Sequence, residues 1–250
     1  MVVDALRGAV GFLSRLPVGQ DETAWEAFRH RPAAFPLAGY PIGALAAVPL
    51  AVLSPPATAA AAFLAWTYVL TGVAHADGLT DLGDALAVHG DGAKRRKVMR
   101  DTTVGVGGVL ALAIVVLALA LGAIGLTGTT RGWPAIVAVV VASEVGAKGA
   151  VATLVCLGTA THEGLGSALT ANAGPGSLLP VVGALAPAFA LVAITPAAPI
   201  ATLGALATGA VVLWLARSTV GGVSGDVLGA TNELARVVAI HAGVVAWAHW

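Results

Sequence analysis

The sequence carries little charge. Of its 250 residues, 13 are Lys or Arg and 13 are Asp or Glu, so charged residues make up 10%, where a soluble domain has roughly a quarter. Hydrophobic residues make up 58%, and a water-exposed surface cannot be built from the remainder. This composition excludes an ordinary soluble globule. The formal net charge is zero, so no general attraction to nucleic acid is expected, and nucleic acid is not predicted as a partner.

Cysteine is nearly absent as well. The single residue of this type, Cys156, lies in an apolar segment. One thiol excludes an internal disulfide and a cysteine-rich metal site. We therefore expect Cys156 to be a small buried hydrophobic residue.

Long apolar windows dominate the chain instead. A helix needs about 20 apolar residues to cross a bilayer, and windows of about this length recur between charged residues, prolines and glycines. They cover residues 35–53, 57–74, 104–126, 134–157, 178–195, 200–216 and 234–250. The last window is short enough to be either a tilted span or an interfacial helix. The pattern predicts an all-α fold, a polytopic membrane bundle of six or seven transmembrane helices.

The linkers between these windows differ strongly in charge. Three of them are short, at 54–57, 127–133 and 196–199. Of the 13 Lys and Arg residues, the short linkers contain only Arg131, and Lys148 lies inside a window. The other eleven fall on the opposite side, which the positive-inside rule makes cytoplasmic. We expect residues 1–250 to form one multi-pass domain of the cell membrane. Its motif loops on the cytoplasmic face are 75–101, 158–175 and 217–236.

Three aspartates follow the second window at positions i, i+4 and i+7. On a helix, Asp77, Asp81 and Asp84 fall within about 60° of one another on one stripe. Because these like charges repel, a cation should neutralise them, and oxygen-only ligands favour Mg²⁺ or Mn²⁺. Asp101, at the entrance of the third window, is a fourth metal-ligand candidate, and Gly78 permits close approach of a substrate. A solvated acidic helix end is the alternative.

A basic run follows the aspartates. Its members Lys94, Arg95, Arg96 and Arg100 are candidates for binding phosphoryl oxygens. An acidic cluster beside a basic cluster suits a metal and a phosphate bound together. The alternative is that the run sets the topology or binds anionic headgroups, which makes membrane lipid an expected partner.

Two further groups of polar residues lie elsewhere. Glu144 and Lys148 are four residues apart inside the fourth window, in the orientation that favours an ion pair. They form either a structural pair or part of the lining of a substrate cavity. Asp226, Asn232 and Glu233 lie between glycines near the C-terminus, where backbone N–H groups can bind phosphate, although this pattern alone is weakly specific.

Five segments carry a more specific pattern. They are FLSRLPVG at 12–19, FPLAGYPIGAL at 35–45, HADGLTDLGDAL at 75–86, KVMRDTTVGVGGVLAL at 97–112 and GGVSGDVLGATNEL at 221–234. In this order they resemble the motifs of the adenosylcobinamide-GDP ribazoletransferases, also called cobalamin (5′-phosphate) synthases. The resemblance implies the final assembly step of cobalamin, in which α-ribazole or its 5′-phosphate attacks the phosphate of adenosylcobinamide-GDP and GMP leaves. It also implies a requirement for Mg²⁺.

The resemblance assigns roles to individual residues. Asp77, Asp81 and Asp84 match the metal-binding aspartates of the family, and Asp101 matches the acidic position of the second motif. The matching polar positions of the C-terminal motif, predicted to bind substrate, are Asp226, Asn232 and Glu233. We expect one or two Mg²⁺ ions at the four metal-binding aspartates, with Asp81 and Asp84 as catalytic residues. Asp84 is the predicted acceptor of the ribazole hydroxyl proton. The oligomeric state stays open, and a homo-oligomer is compatible with the sequence.

Two other functions remain open at this point. Lipid enzymes of the CDP-alcohol phosphotransferase type also use membrane aspartates and Mg²⁺. Their signature continues through AR to a late GxxxDxxxD, and neither follows Asp77 and Gly78. A secondary transporter would use Pro/Gly-broken spans and the Glu144–Lys148 pair as an ion pathway. The clustering of acids in a predicted cytosolic loop, away from mid-membrane, argues against a transporter.

Overall fold

A computed structural model describes residues 2–19, 21–128 and 131–249. Within these ranges every regular element is a helix, which confirms the all-α prediction. The α-helices are α1 (Val2–Leu13), α2 (Glu22–Arg29), α3 (Ala34–Ala46), α4 (Val48–Val52), α5 (Pro56–Thr71), α6 (Ala74–Ala87), α7 (Gly92–Val98), α8 (Val106–Thr127), α9 (Trp133–Leu157), α10 (Leu165–Thr170), α11 (Leu178–Ala190), α12 (Ala197–Thr219) and α13 (Gly225–His249). Single 3₁₀ turns, Pro175–Ser177 and Leu191–Ala193, flank α11.

Several of these helices are long and apolar enough to cross a membrane. Five candidate spans lie in the described residues, at 34–52, 106–127, 133–157, 175–193 and 197–219, and α5 with α6 would make a sixth if the bent pair were one span. The chain is therefore a multi-pass membrane protein. The predicted seventh span, 234–250, is not among the candidates. Its helix, α13, begins nine residues earlier than predicted and carries charged residues in its first half.

Helix α9 is the centre of the bundle. Its apolar window is 83% buried, against 28% for α8, which leaves one side of α8 open to lipid. α9 packs against α3, α11, α12 and α13. Small residues allow the close approach: a Cβ on Gly39 of α3 would lie 2.7 Å from the Cα of Val145, and one on Gly146 would lie 2.8 Å from the Cβ of Ala205 on α12. Glycine at such contacts is typical of helix pairs in membranes.

The chain turns sharply between α5 and α6. Gly72 ends α5 with φ +74°, a conformation that favours glycine, and its N–H still donates to the Tyr68 carbonyl. The axis of α6 then lies at 98° to that of α5. α6 therefore runs across the end of α5 instead of continuing it along the same axis.

The three predicted loop ranges come together in space. The segment after α9 pairs with the segment before α13: Thr161 N–H donates to the Val223 carbonyl at 3.1 Å, and Val223 N–H donates to the Thr159 carbonyl at 2.8 Å. Arg96 of α7 donates to the Val220 carbonyl at 3.0 Å. The range 217–236 is mostly helix, since α12 continues to Thr219 and α13 begins at Gly225. Only a short turn in that range is a loop.

Candidate active site

The predicted aspartate helix is present as α6, but its three aspartates have different surroundings. Asp77 is exposed in the first turn, and Asp81 and Asp84 are half-buried. The helix packs against α13 on one side and α8 on the other. The shared stripe therefore lies between two neighbouring helices, and the three carboxylates have different surroundings.

Asp84 binds the start of α8. One of its carboxylate oxygens accepts the Gly105 N–H at 2.7 Å, and the other accepts the Gly108 N–H at 2.8 Å. These amides belong to the first turn of a helix, where N–H groups have no partner within the helix and a negative charge is stabilised. The glycines let α6 and α8 approach, since a Cβ on Gly83 would lie 2.7 Å from the Cβ of Ala111. The structure thus gives Asp84 an anchoring role, and its predicted roles as base and metal ligand stay predictions.

Asp81 lies in a cluster of like charges. Burial, followed by the charges of Asp226, Asp77 and Asp84, raises the pKa of the Asp81 carboxyl to about 6. We call Asp77, Asp81, Asp84 and Asp226 the aspartate cluster. Sequence reasoning placed Asp226 among substrate-binding residues and missed its membership of this cluster. No signal in the sequence reveals it, because Asp226 and Asp77 are brought together only by the packing of α13 on α6.

Two local features position Asp226. Ser224 precedes α13, and its hydroxyl oxygen accepts the Val227 N–H at 3.3 Å, as an N-cap does. Asp226 follows in the first turn of α13, where a carboxylate is stabilised. The backbone of Asp226 packs directly on Gly78 of α6: a Cβ on Gly78 would lie 2.6 Å from the Asp226 carbonyl oxygen. The close approach predicted for Gly78 is thus made by α13, which leaves Gly78 buried and without a surface for substrate.

Asp101 lies apart from this packing. It is exposed in the segment between α7 and α8, and its side chain accepts the Thr103 N–H at 3.1 Å. This local bond is an Asx turn within the loop. Its metal-binding role stays a prediction.

A cleft of about 380 Å³ opens beside the aspartate cluster. Asp77, His75 and Asp226 supply polar groups to its wall. The remaining wall is largely apolar and comes from α1, α3, α5, α9 and α10. These lining residues include Phe12, Leu13, Phe35, Val151, Leu165 and Leu169. An apolar pocket with a few convergent polar groups is the usual form of a small-molecule site.

The basic run divides into two parts. Arg96 and Arg100 line a small recess that we call the arginine recess, which shares His162 and Asp226 with the cleft. Lys94 instead donates to the His89 carbonyl at 2.9 Å, and Arg95 donates to the Gly90 carbonyl at 3.4 Å. Two of the four predicted phosphate ligands are therefore beside the cleft.

His162 is a site candidate that the sequence analysis does not identify. It is exposed, it lines both the cleft and the arginine recess, and its Nδ1 lies 2.8 Å from the Thr161 hydroxyl. The only signal in the sequence was a histidine between glycines, which is weakly specific. The pairing of its loop with the turn before α13 places it here.

A second set of charges is buried in the bundle. Arg236 on α13 donates to Glu144 on α9 at 2.5 Å, and it binds both oxygens of Glu233 at 2.7 and 2.8 Å. Lys148 also binds Glu144, which confirms the predicted ion pair. We call Glu144, Lys148, Glu233 and Arg236 the buried charge network. Its charges balance, as buried charges must. Because none of its members lines the cleft, the prediction that Glu144 and Lys148 line a substrate cavity is wrong for this cleft.

Asn232 and Glu233 belong to this interior and not to the cleft surface. Glu233 accepts from Arg236 and, at 3.4 Å, from the Tyr68 hydroxyl. Asn232 donates to Glu233 at 3.1 Å and approaches His75 Nδ1 at 3.1 Å. Both residues are buried, so their predicted contact with substrate has no exposed atom to support it.

The carboxylates beside the cleft are the groups that could hold Mg²⁺. Among the described residues, no group of three or more His, Cys, Asp or Glu side chains is arranged so that it could hold a metal ion. Mg²⁺ is commonly bound by one or two carboxylates, with water and substrate phosphate completing its shell. Asp77 and Asp226 line the cleft, and the charges of both raise the pKa of the neighbouring Asp81 carboxyl. This oxygen-only, mutually repelling set fits a cation that is completed by a phosphorylated substrate.

Comparison with known proteins covers nearly the whole chain. A family model described as cobalamin-5-phosphate synthase matches residues 5–244. A protein of Halorubrum lacusprofundi named adenosylcobinamide-GDP ribazoletransferase is 54% identical over 99% of this chain and 99% of its own length. Proteins of the same name from Haloquadratum walsbyi and Methanocella arvoryzae are 46% and 34% identical, over 99% and 98% of this chain and 99% and 97% of their own lengths. No solved structure matches the chain.

Proposed function

The chain belongs to the cobalamin-5-phosphate synthase family and performs the adenosylcobinamide-GDP ribazoletransferase step that completes cobalamin, and from this premise we propose that the cleft beside the aspartate cluster is its active site. Family membership replaces the lipid-enzyme and transporter alternatives. In the proposed reaction, a hydroxyl of α-ribazole or its 5′-phosphate attacks the phosphate that carries the corrinoid. A new P–O bond forms, the phosphoanhydride bond breaks, and GMP leaves.

The aspartate cluster is the observation that carries this proposal. Carboxylates crowded beside an apolar cleft raise the energy of the empty site, because each destabilises the charge of the next. We propose that Asp77 and Asp226, the two carboxylates that line the cleft, hold Mg²⁺ together with the substrate diphosphate. When bound, the ion neutralises phosphate charge and polarises the phosphorus toward attack. Asp84 keeps α6 and α8 in register so that the other three stay in place.

The cations beside the cleft support the same assignment. Arg96 is fixed by its bond to the Val220 carbonyl, and Arg100 is exposed at the arginine recess. Both adjoin Asp226, so they are suited to hold phosphoryl oxygens of the leaving GMP. Asp81 is the proposed acceptor of the ribazole hydroxyl proton. Asp81 is preferred to Asp84 for this role because both Asp84 oxygens are already occupied by amides.

We further propose that this site faces the cytoplasm. Arg236 is buried in α13, so ten of the eleven cations first assigned to one side remain there, against Arg131 on the other. This asymmetry still predicts that the cleft side is cytoplasmic. Lys94 and Lys97 of α7 are exposed on that side, where they can contact anionic headgroups.

The test is GMP release by the purified protein. With adenosylcobinamide-GDP and α-ribazole, release should require Mg²⁺, stop in EDTA, and resume when Mg²⁺ is restored. Asp81→Asn should lower kcat by about a hundredfold to ten-thousandfold, since it removes the proposed proton acceptor. Glu22→Gln removes one exposed carboxylate of α2 that does not line the cleft, and should leave release unchanged. Full activity of Asp81→Asn would exclude the aspartate cluster as the site.

A further inference from the structure

His75 connects the cleft to the buried charge network. It lies in the first turn of α6, two residues before Asp77, and its side chain is 16% exposed in the cleft wall. Its ring nitrogen Nδ1 points inward, 3.1 Å from Asn232 Nδ2. The α-carbon of His75 also packs on Gly229 of α13, where a Cβ would lie 3.1 Å away. The residue is thus held at both its backbone and one ring nitrogen.

The orientation of the Asn232 amide follows from its other neighbour. Asn232 Nδ2 lies 3.1 Å from Glu233 Oε1. Glu233 is bound through both oxygens by Arg236, so it is a carboxylate that can only accept. A reversed amide would place the Asn232 oxygen against this carboxylate. Repulsion between the two oxygens therefore favours the amide nitrogen facing Glu233 and His75, and in this orientation Asn232 Oδ1 is buried without a hydrogen-bond partner among the described residues.

This orientation fixes the tautomer of His75. Because Asn232 Nδ2 carries two hydrogens, one goes to Glu233 and the other to His75 Nδ1, which must then be the acceptor. In a neutral imidazole the proton is then on Nε2. Within the described residues Nε2 has no hydrogen-bond partner, although the ring borders the cleft. The wall of the cleft therefore presents one neutral N–H donor beside the carboxylates of Asp77 and Asp226.

We propose that His75 is a substrate-binding residue that donates its Nε2–H to a phosphate oxygen of adenosylcobinamide-GDP, and that Asn232 is a positioning residue that holds the ring in this tautomer. The inference rests on the proposed function of the cleft. Phosphate oxygens accept hydrogen bonds, whereas the carboxylates of Asp77 and Asp226 beside His75 repel phosphate unless a cation intervenes. The buried charge network then serves the site indirectly: Lys148 and Arg236 fix Glu144 and Glu233, Glu233 fixes Asn232, and Asn232 fixes His75.

Two substitutions of His75 separate the two ring nitrogens. The amide of His75→Gln can place an N–H where Nε2 stands, whereas the shorter His75→Asn reaches only the Nδ1 position. We expect His75→Asn to lower kcat/KM for adenosylcobinamide-GDP by about tenfold to a hundredfold, the usual effect of losing one hydrogen bond to a charged group. His75→Gln should recover to within about fivefold of the unsubstituted protein. Equal activity of the two variants, whether both high or both low, would overturn the inference.

The tautomer can be measured without turnover. Selective ¹⁵N labelling of the six histidines, with His75 assigned from the signal lost in His75→Gln, distinguishes a protonated from an unprotonated Nδ1. We expect Nδ1 unprotonated and Nε2 protonated in the unsubstituted protein; the opposite tautomer would overturn the inference whatever the activities of the two variants. The Asp81→Asn variant separates the two proposals. If Asp81→Asn is inactive while His75→Gln and His75→Asn are equal, the cleft stands and only the His75 role fails.

Discussion

Gly78 on α6 faces the backbone of Asp226 on α13 with no space between them. A Cβ on Gly78 would lie 2.6 Å from the Asp226 carbonyl oxygen and 2.7 Å from its Cα. The contact sets the distance between Asp226 and the aspartates of α6. It therefore links the third and fifth sequence motifs, 75–86 and 221–234, which are far apart along the chain.

Gly78→Ala should therefore disrupt the site, although it adds only one methyl group. The added methyl meets rigid backbone, so α6 and α13 must separate, which typically costs about 1–3 kcal/mol of stability. Because Asp226 moves with α13, kcat/KM should fall by at least about a hundredfold. The control is Gly183→Ala on α11, where a Cβ meets no atom within 4 Å and stability and GMP release should both be unchanged. Unimpaired release by Gly78→Ala would show that Asp226 is not part of the site.

Asp84→Ala should lower stability because α8 loses both of its side-chain partners. Loss of a helix-capping carboxylate costs about 0.5–2 kcal/mol, which would appear as a lower thermal unfolding midpoint in detergent. Asp84→Asn keeps one carbonyl oxygen to accept an N–H, so its midpoint should lie between those of Asp84→Ala and the unsubstituted protein. Both variants could instead have the unfolding midpoint of the unsubstituted protein and lack all activity. Asp84 would then act in the chemistry, as first predicted from the sequence, and not as an anchor.

Hydropathy predicted the long apolar helices, including the buried α9, but misplaced the start of α13, where charged residues are neutralised inside the protein. The predicted window 134–157 nearly coincides with α9, Trp133–Leu157. For α13 the prediction began at 234, because Glu233 and Arg236 read as loop charges. In the structure these residues neutralise each other and Glu144 within the bundle. A single sequence does not reveal which charges have a buried partner on another helix.

The same limit applies to the site. The spacing of Asp77, Asp81 and Asp84 correctly predicted a helix with one acidic stripe. The spacing could not show that Asp84 binds the start of α8 or that Asp226 lies near Asp81. Both contacts depend on which helices pack together at their glycines. Likewise, the tautomer of His75 depends on Asn232, which is 157 positions away.

Removing one charge of the buried charge network should lower the stability of the protein more than removing two opposite charges. Lys148→Met leaves Glu144 and Glu233 with only Arg236 as a partner, and an uncompensated buried charge costs about 3–5 kcal/mol. The double variant Glu144→Gln with Lys148→Met restores balance, because Glu233 and Arg236 still pair. It should unfold at a higher temperature than Lys148→Met alone. A double variant less stable than either single variant would show that the pair contributes net stability through contacts other than charge balance.

The membrane orientation can be tested at the two ends of α9, which lie on opposite sides if this helix spans. Trp133 is exposed at its start, and Glu163 is exposed in the loop beyond its end, beside the cleft. The native Cys156 is buried, so it should not react with a membrane-impermeant maleimide. In intact cells Trp133→Cys should be labelled, whereas Glu163→Cys should be labelled only after lysis, because the cation-rich side stays in the cytoplasm. The reverse pattern would put the cleft outside the cell and overturn the proposed orientation, while the assignment of the aspartate cluster would be unaffected.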